Sequence, residues 1–163
     1  MKRIFLTRGF VALVSNKDYR RLSEHKWYAQ PNGATIYAIR EIRFNGRSTT
    51  ERMHRVVLGL PIGRHPDVDH RDSDGLNNQR SNLRTCTRLQ NTAHRRKQKN
   101  GTTSKYKGVS WHTQCEKWVC SLRRHGKFIY LGLFQSEEDA ARAYDAAAIK
   151  HFGEFALLNF PVT

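Results

Sequence analysis

Residues 67–91 read DVDHRDSDGLNNQRSNLRTCTRLQN, and this stretch decides how the chain is understood. Asp69 and His70 stand side by side, with Asn82 twelve and Asn91 twenty-one residues after His70. A carboxylate, an imidazole and amide oxygens together suit a hard divalent cation and an activated water. Val68-Asp69-His70 reads as the end of a short strand. Asp72 to Arg80 is turn-forming throughout, and Leu83 to Cys86 reads as the paired strand. Thr87 and Gln90 have capping-box spacing, which predicts a helix running to about Lys99. Asn91 falls in the first turns of that helix, so the order is strand, strand, helix.

The charged residues of the predicted helix are all basic: Arg88, Arg95, Arg96, Lys97 and Lys99. A merely solvated helix usually mixes signs, so these five are expected to contact phosphate. The whole chain agrees. Its 163 residues carry a formal net charge of +15, whose commonest physical use is attraction to nucleic acid. Double-stranded DNA is the expected partner, and a membrane is not. No apolar run is long enough to span a bilayer, and the apolar start is broken at Thr7, Arg8 and Gly9, unlike a signal peptide. Cys86, Cys115 and Cys120 form no CxxC pair, which argues against a structural zinc site. They are read as thiols in a reducing, cytoplasmic setting.

Charge divides the chain unevenly. Residues 1–100 hold 21 Lys and Arg against 8 Asp and Glu; residues 101–163 hold 8 against 6. A small, polar stretch, 100–104, is read as a linker. Residues 1–53 are expected to be β-rich with a short helix, part of the same module as 54–99. Ser15 and Asp18 have capping-box spacing for a helix from Asn16 to about Glu24. Trp27 and Tyr28 are candidate core anchors, and Asn45-Gly46 predicts a hairpin turn. Met53 to Leu58 reads as a helix ended by Gly59. Residues 105–163 read as three strands and a helix with an apolar stripe at Ala140, Ala143, Tyr144 and Ala147. The predicted class is α+β.

The motifs Met53-His54-Arg55, Val68-Asp69-His70, Leu76-Asn77-Asn78, Ser81-Asn82-Leu83-Arg84 and Gln90-Asn91 together resemble the HNH nucleases of phage and intron homing endonucleases. The resemblance implies a ββα-metal fold. It implies His70 as general base and Asp69 and Asn91 as ligands of one Mg²⁺ or Mn²⁺. Asn82 would hold the loop that orients His70, and His54 would support the site or meet the DNA backbone. Asp72, Asp74, Asn77 and Asn78 are read as turn formers. A calcium loop built around Gly75 fails, because Ser81 stands where a Glu is needed.

The second module resembles an AP2 domain through Tyr106-Lys107-Gly108-Val109, Trp118, Ile129-Tyr130-Leu131-Gly132, the 138–147 stretch EDAARAYDAA, and Leu158-Asn159-Phe160-Pro161. That implies a three-stranded antiparallel sheet entering the major groove. Its DNA face would carry Lys107, Ser110, Trp111, Ser121, Arg123, Phe128 and Tyr130. Plant members are richer in arginine there, so their GC-rich preference is not expected to transfer.

The expected function is a divalent-metal-dependent, site-specific DNA endonuclease of the homing type, acting as a monomer in a bacterial or phage-infected cell. The alternative is a DNA-binding regulator that keeps an inactive HNH fold. The intact Asp69, His70, Asn82 and Asn91 set favours the enzyme.

Overall fold

The computed structural model describes residues 1–33, 35–97 and 101–161. It divides the chain into two compact units, Met1–Cys86 and Thr87–Thr163, and the class is α+β. The division falls before the predicted linker. The helix expected to complete the nuclease core is therefore grouped with the second unit.

In the first unit the strands are β1 (Lys2–Phe5), β2 (Val11–Val14), β3 (Tyr28–Asn32), β4 (Thr35–Phe44), β5 (Arg47–Arg52), β6 (Asp67–His70), β7 (Asn77–Asn78) and β8 (Leu83–Cys86). Helix α1 (Asn16–Ser23) follows β2, and α2 (Met53–Leu58) follows β5. The hairpin β4–β5 turns at Asn45 and Gly46, whose φ values of 49° and 74° are those a two-residue type I′ turn needs. Gly59 ends α2 in the left-handed conformation. β6 pairs antiparallel with β8, and β7 pairs parallel with β2. The sequence reading took β7 for turn, and a two-residue strand leaves no periodicity to detect. Met53 and Val57, one helical turn apart, are fully buried in a core with Leu22 and Trp27. Tyr28, by contrast, lies at the surface rather than anchoring the core.

Ser15 and Asp18 do not form the predicted capping box. The Ser15 hydroxyl accepts from the Arg80 backbone N–H at 2.9 Å, and its own helix has no side-chain cap. Asp18 is buried and takes two bonds from the Arg80 guanidinium, at 2.8 and 2.9 Å. Burial raises the Asp18 pKa, but bonds from Arg80 and Arg21 outweigh it and hold the carboxyl below its usual range. These residues tie α1 to the loop that leads into β8.

In the second unit α3 (Arg88–Ala93) opens with the predicted capping box, in which Gln90 N–H bonds the Thr87 hydroxyl and Thr87 N–H bonds the Gln90 side chain. It ends at Ala93, short of the predicted end. Arg95, Arg96 and Lys97 follow the helix rather than lie on it, and Lys99 is outside the described residues. Strands β9 (Val109–His112), β10 (Lys117–Arg124) and β11 (Lys127–Phe134) form an antiparallel sheet in the order β11-β10-β9, covered on one face by α4 (Glu137–Phe152). Ala140, Ala141, Tyr144 and Ala148 are buried on α4, while Ala143 and Ala147 are at its margin. Gly108 is required: a Cβ there would collide with the Tyr144 ring. Leu89 and Ala93 of α3 join this same core.

Candidate nuclease site and DNA-facing sheet

The first unit gathers Asp69, His70, Asn82 and His54 below the surface, each less than a tenth exposed. Their placement follows from local structure. Arg55 sits behind His54 on α2 and spends its guanidinium on the carbonyls of Pro61, Arg64, His65 and Pro66, at 2.7 to 3.4 Å. Those bonds fix the loop that leads into β6. Register then places Arg84 opposite Asp69 across the β6–β8 pair. Its Nε and a terminal nitrogen both reach Asp69 Oδ2 at 2.8 Å.

Asn82 holds the connecting loop. Its Nδ2 donates to Asp72 Oδ1 at 2.9 Å and to the Asn77 carbonyl at 2.8 Å, and its Oδ1 accepts from the Asp72 N–H at 3.1 Å. The Arg71 N–H bonds the Asn82 carbonyl at 2.9 Å, beside His70. Asp72 and Asp74 also cap backbone N–H groups of their own turn. Gly75 packs so closely on the Ile36 carbonyl and the Thr35 and Tyr37 side chains that no Cβ fits.

His70 Nε2 and Asn78 Oδ1 are buried side-chain atoms with no hydrogen-bond partner. Burial pushes the His70 pKa below its ordinary value. The neighbouring Asn78 side chain and the Asp72, Asp69 and Asp74 carboxylates offset part of that shift. His54 is held well below the ordinary value by burial, then by the charges of His70, Arg52 and Arg55. The two imidazoles meet edge to face at 5.2 Å.

Tyr37, absent from the sequence reading, touches both rings, with centroids 5.5 Å from His54 and 5.9 Å from His70. Arg84 was legible in principle, since β6–β8 pairing puts it opposite Asp69. Tyr37 carried no signal, because its contacts arise only when β4 packs beside α2 and β6.

Asn91 lies in the second unit, half-buried in α3, with its N–H bonded to the Thr87 carbonyl at 3.0 Å. Asp69 belongs to the first unit and Asn91 to the second; a carboxylate oxygen and an amide oxygen are each donors of the kind that Mg²⁺ or Mn²⁺ takes. Among the described residues no group of three or more His, Cys, Asp or Glu gathers, and a set of this composition would not form one.

The open face of the second sheet carries Ser110, Ser121, Arg123, Phe128 and Tyr130. Trp111, expected there, is instead paired with Trp118 and stacks edge-on against it on the side that α4 covers, because consecutive strand residues face opposite ways. Phe128 is 72% and Tyr130 63% exposed, and the Arg123 guanidinium lies 5.5 Å from the Phe128 ring centroid. Their partners across the sheet, Arg123 with Phe128 and Ser121 with Tyr130, follow from the β10–β11 register.

Two lysines expected on DNA are committed elsewhere. Lys97 Nζ donates to the Tyr106 and Val109 carbonyls, at 2.5 and 3.0 Å. Lys107 Nζ donates to the Ala93 carbonyl and, at 2.7 Å, to that of Arg95. Burial pushes the Lys107 ammonium down to about 8. Backbone carbonyls are invisible in a charge pattern, so counting cations could not separate these two from Arg88, Arg95, Arg96 and Arg123, which are exposed. Cys86 and Cys120 are buried, with thiols pushed up to about 12 and about 11. Among the described residues no helix is long and apolar enough to cross a membrane.

Comparison with known proteins matches both parts. Residues 51–93 match the HNH endonuclease family and residues 104–154 the AP2 domain family. An uncharacterized HNH endonuclease of Acanthamoeba polyphaga mimivirus is 31% identical over 157 residues, covering 93% of this chain and 76% of that protein. AP2-like ethylene-responsive transcription factors of Oryza sativa subsp. japonica and Arabidopsis thaliana are each 40% identical over 86 residues, half of this chain. Those matches span only 14% and 16% of the plant proteins. The chain therefore belongs to the HNH endonucleases, with an AP2 domain following its HNH domain.

Proposed function

We propose that this chain is a site-specific, divalent-metal-dependent DNA endonuclease of the homing type, with His70 as general base. The observation that carries this reading is the buried His70 imidazole beside Asp69, at the mouth of a loop that Asn82 holds in place. The two unpartnered atoms are complementary: a proton on His70 Nε2 serves Asn78 Oδ1 and leaves Nδ1 basic. Nδ1 takes a proton from water as the water oxygen bonds to phosphorus. The P–O3′ bond breaks, and the 3′ oxygen leaves to be protonated, giving a 5′-phosphate and a 3′-hydroxyl. Asp69 and Asn91 would hold Mg²⁺ or Mn²⁺, which would supply charge stabilisation for the leaving oxygen. Asn82 keeps the loop beside His70 in place, and Arg84 fixes the Asp69 carboxylate.

Recognition is assigned to the open AP2 sheet, through Arg123, Phe128, Tyr130, Ser110 and Ser121. Arg88, Arg95 and Arg96 add phosphate contacts. One catalytic set attacks one phosphodiester at a time, so the chain acts as a monomer that nicks one strand of a non-palindromic site. The test is a doubly end-labelled duplex with Mn²⁺ or Mg²⁺. One strand should be cut well before the other, at a rate linear in protein. Simultaneous cutting of both strands with second-order dependence on protein rejects the monomer, and DNA binding without any cleavage supports the inactive regulator instead.

A further inference from the structure

Tyr37 lies against both histidines of the nuclease site, yet it sits on β4, ahead of the matched HNH residues. Its ring has a third neighbour. The Arg52 guanidinium lies 5.5 Å from the ring centroid. The sheet explains the meeting: Arg52 is opposite Ile39 across β4–β5, and Ile39 shares a face with Tyr37 two residues away. One sheet face thus delivers a ring and a cation together.

Arg52 is exposed, and among the described residues it pairs with no carboxylate. Its neighbour across the pleat is different: Arg40, on the opposite face, is paired with Glu51 at 2.7 Å. Arg52 is also the last residue of β5 and directly precedes α2, two residues before His54, so its backbone is fixed at both sides. An uncompensated guanidinium with its donors in a planar fork suits the two non-bridging oxygens of a phosphodiester.

We propose that Arg52 donates to a non-bridging oxygen of the phosphate being hydrolysed, and that Tyr37, whose ring touches both histidines, positions this guanidinium at the edge of their site. The inference rests on the nuclease reading above. Negative charge grows on those oxygens as the water bonds to phosphorus, so the contact strengthens in the transition state and acts on rate. A cation that merely grips the backbone acts on affinity and its salt dependence instead.

Single-turnover nicking of supercoiled plasmid, at saturating protein and Mn²⁺, separates the two. Arg52→Gln should lower the rate about 10²-fold, the scale for losing one transition-state donor, and change DNA affinity only a few-fold. Arg52→Lys keeps the charge without the fork and should recover part of the rate. Tyr37→Phe keeps the ring and should stay near wild type, while Tyr37→Leu should fall toward Arg52→Gln. The Tyr37→Leu, Arg52→Gln double variant should be little worse than Arg52→Gln alone. A wild-type saturated rate in Arg52→Gln overturns the proposal, whatever happens to affinity. Tyr37→Phe as slow as Tyr37→Leu overturns the positioning role of the ring. If Tyr37→Leu fails to fold by circular dichroism, Arg52→Gln, Arg52→Lys and Tyr37→Phe still decide. Wild-type nicking by His70→Ala would reject the parent reading and leave the Arg52 result to be judged by itself.

Discussion

The two units present their candidate site residues in opposite ways. In the first, Asp69, His70, Asn82 and His54 are all buried, each braced by other side chains or loop backbone. In the second, Phe128 and Tyr130 stand largely exposed on an open sheet. Chemistry needs fixed geometry and little competing water, whereas recognition needs surface that a large partner can reach. Even the cations divide along this line. Arg84, Arg80 and Arg55 are spent on internal carboxylates and carbonyls, while Arg123 is presented outward on an aromatic ring.

The contrast breaks most visibly if the wrong unit controls the wrong observable. His70→Ala should reduce cleavage about 10²- to 10⁴-fold, the usual contribution of a general base, with DNA affinity within a few-fold of wild type. Phe128→Ala with Tyr130→Ala should do the reverse, weakening binding to the preferred site while the saturated single-turnover rate holds. Rate loss from the sheet variant, or affinity loss from His70→Ala, would erase the distinction.

A second expected effect sharpens the metal assignment. Asp69→Ala and Asn91→Ala should each raise the Mn²⁺ concentration for half-maximal cleavage. A titration curve that overlays wild type removes that residue from the coordination shell.

The position of the boundary gives a smaller effect. A fragment covering 87–163 should fold, and one beginning at 105 should be less stable by roughly 1–3 kcal/mol. The shorter fragment loses the Leu89 and Ala93 packing and the lysine bonds to carbonyls. Equal urea midpoints for the two fragments would return the boundary to the 100–104 stretch.

The smallest effect is one of pH. Burial puts the folded Lys107 pKa at about 8, below the unfolded reference near ~10.4. Between these values the unfolded chain binds more protons, so this residue makes stability rise as pH increases through the window. Urea unfolding of wild type and Lys107→Met at pH 8 and 10 measures it. The difference between the proteins cancels the opposing contribution of buried Cys120. Parallel pH dependence in the two would show that Lys107 is not charged and buried in this way.

The HNH family was legible because Asp69, His70, Asn82 and Asn91 stand at recognisable spacings along one stretch. The hairpin at Asn45-Gly46 and the α3 start at Thr87 were legible because backbone conformation limits the choice there too. Ser15 and Asp18 misled because a hydroxyl and a carboxylate that can cap a helix can equally bind Arg80, more than sixty residues away. The end of α3 was misjudged because strong helix formers continue past Ala93, while Lys97 and Lys107 bind that segment's surroundings through carbonyls. Tyr37 meets the histidines, and Arg52 meets Tyr37, only through tertiary packing, which spacing along the chain does not encode.

The Asp18–Arg80 bond carries a practical consequence for anyone wishing to move this HNH unit onto another DNA-binding domain. The matched HNH residues begin at 51, but the carboxylate that holds Arg80 comes from α1, and β7 pairs with a strand near the N-terminus. A transplant cut at the motif boundary would arrive with a guanidinium lacking its counter-charge and a loop lacking its edge strand. The portable cassette therefore begins at the first strand, and a chimera built from it should keep its fold where one trimmed to the motif would not.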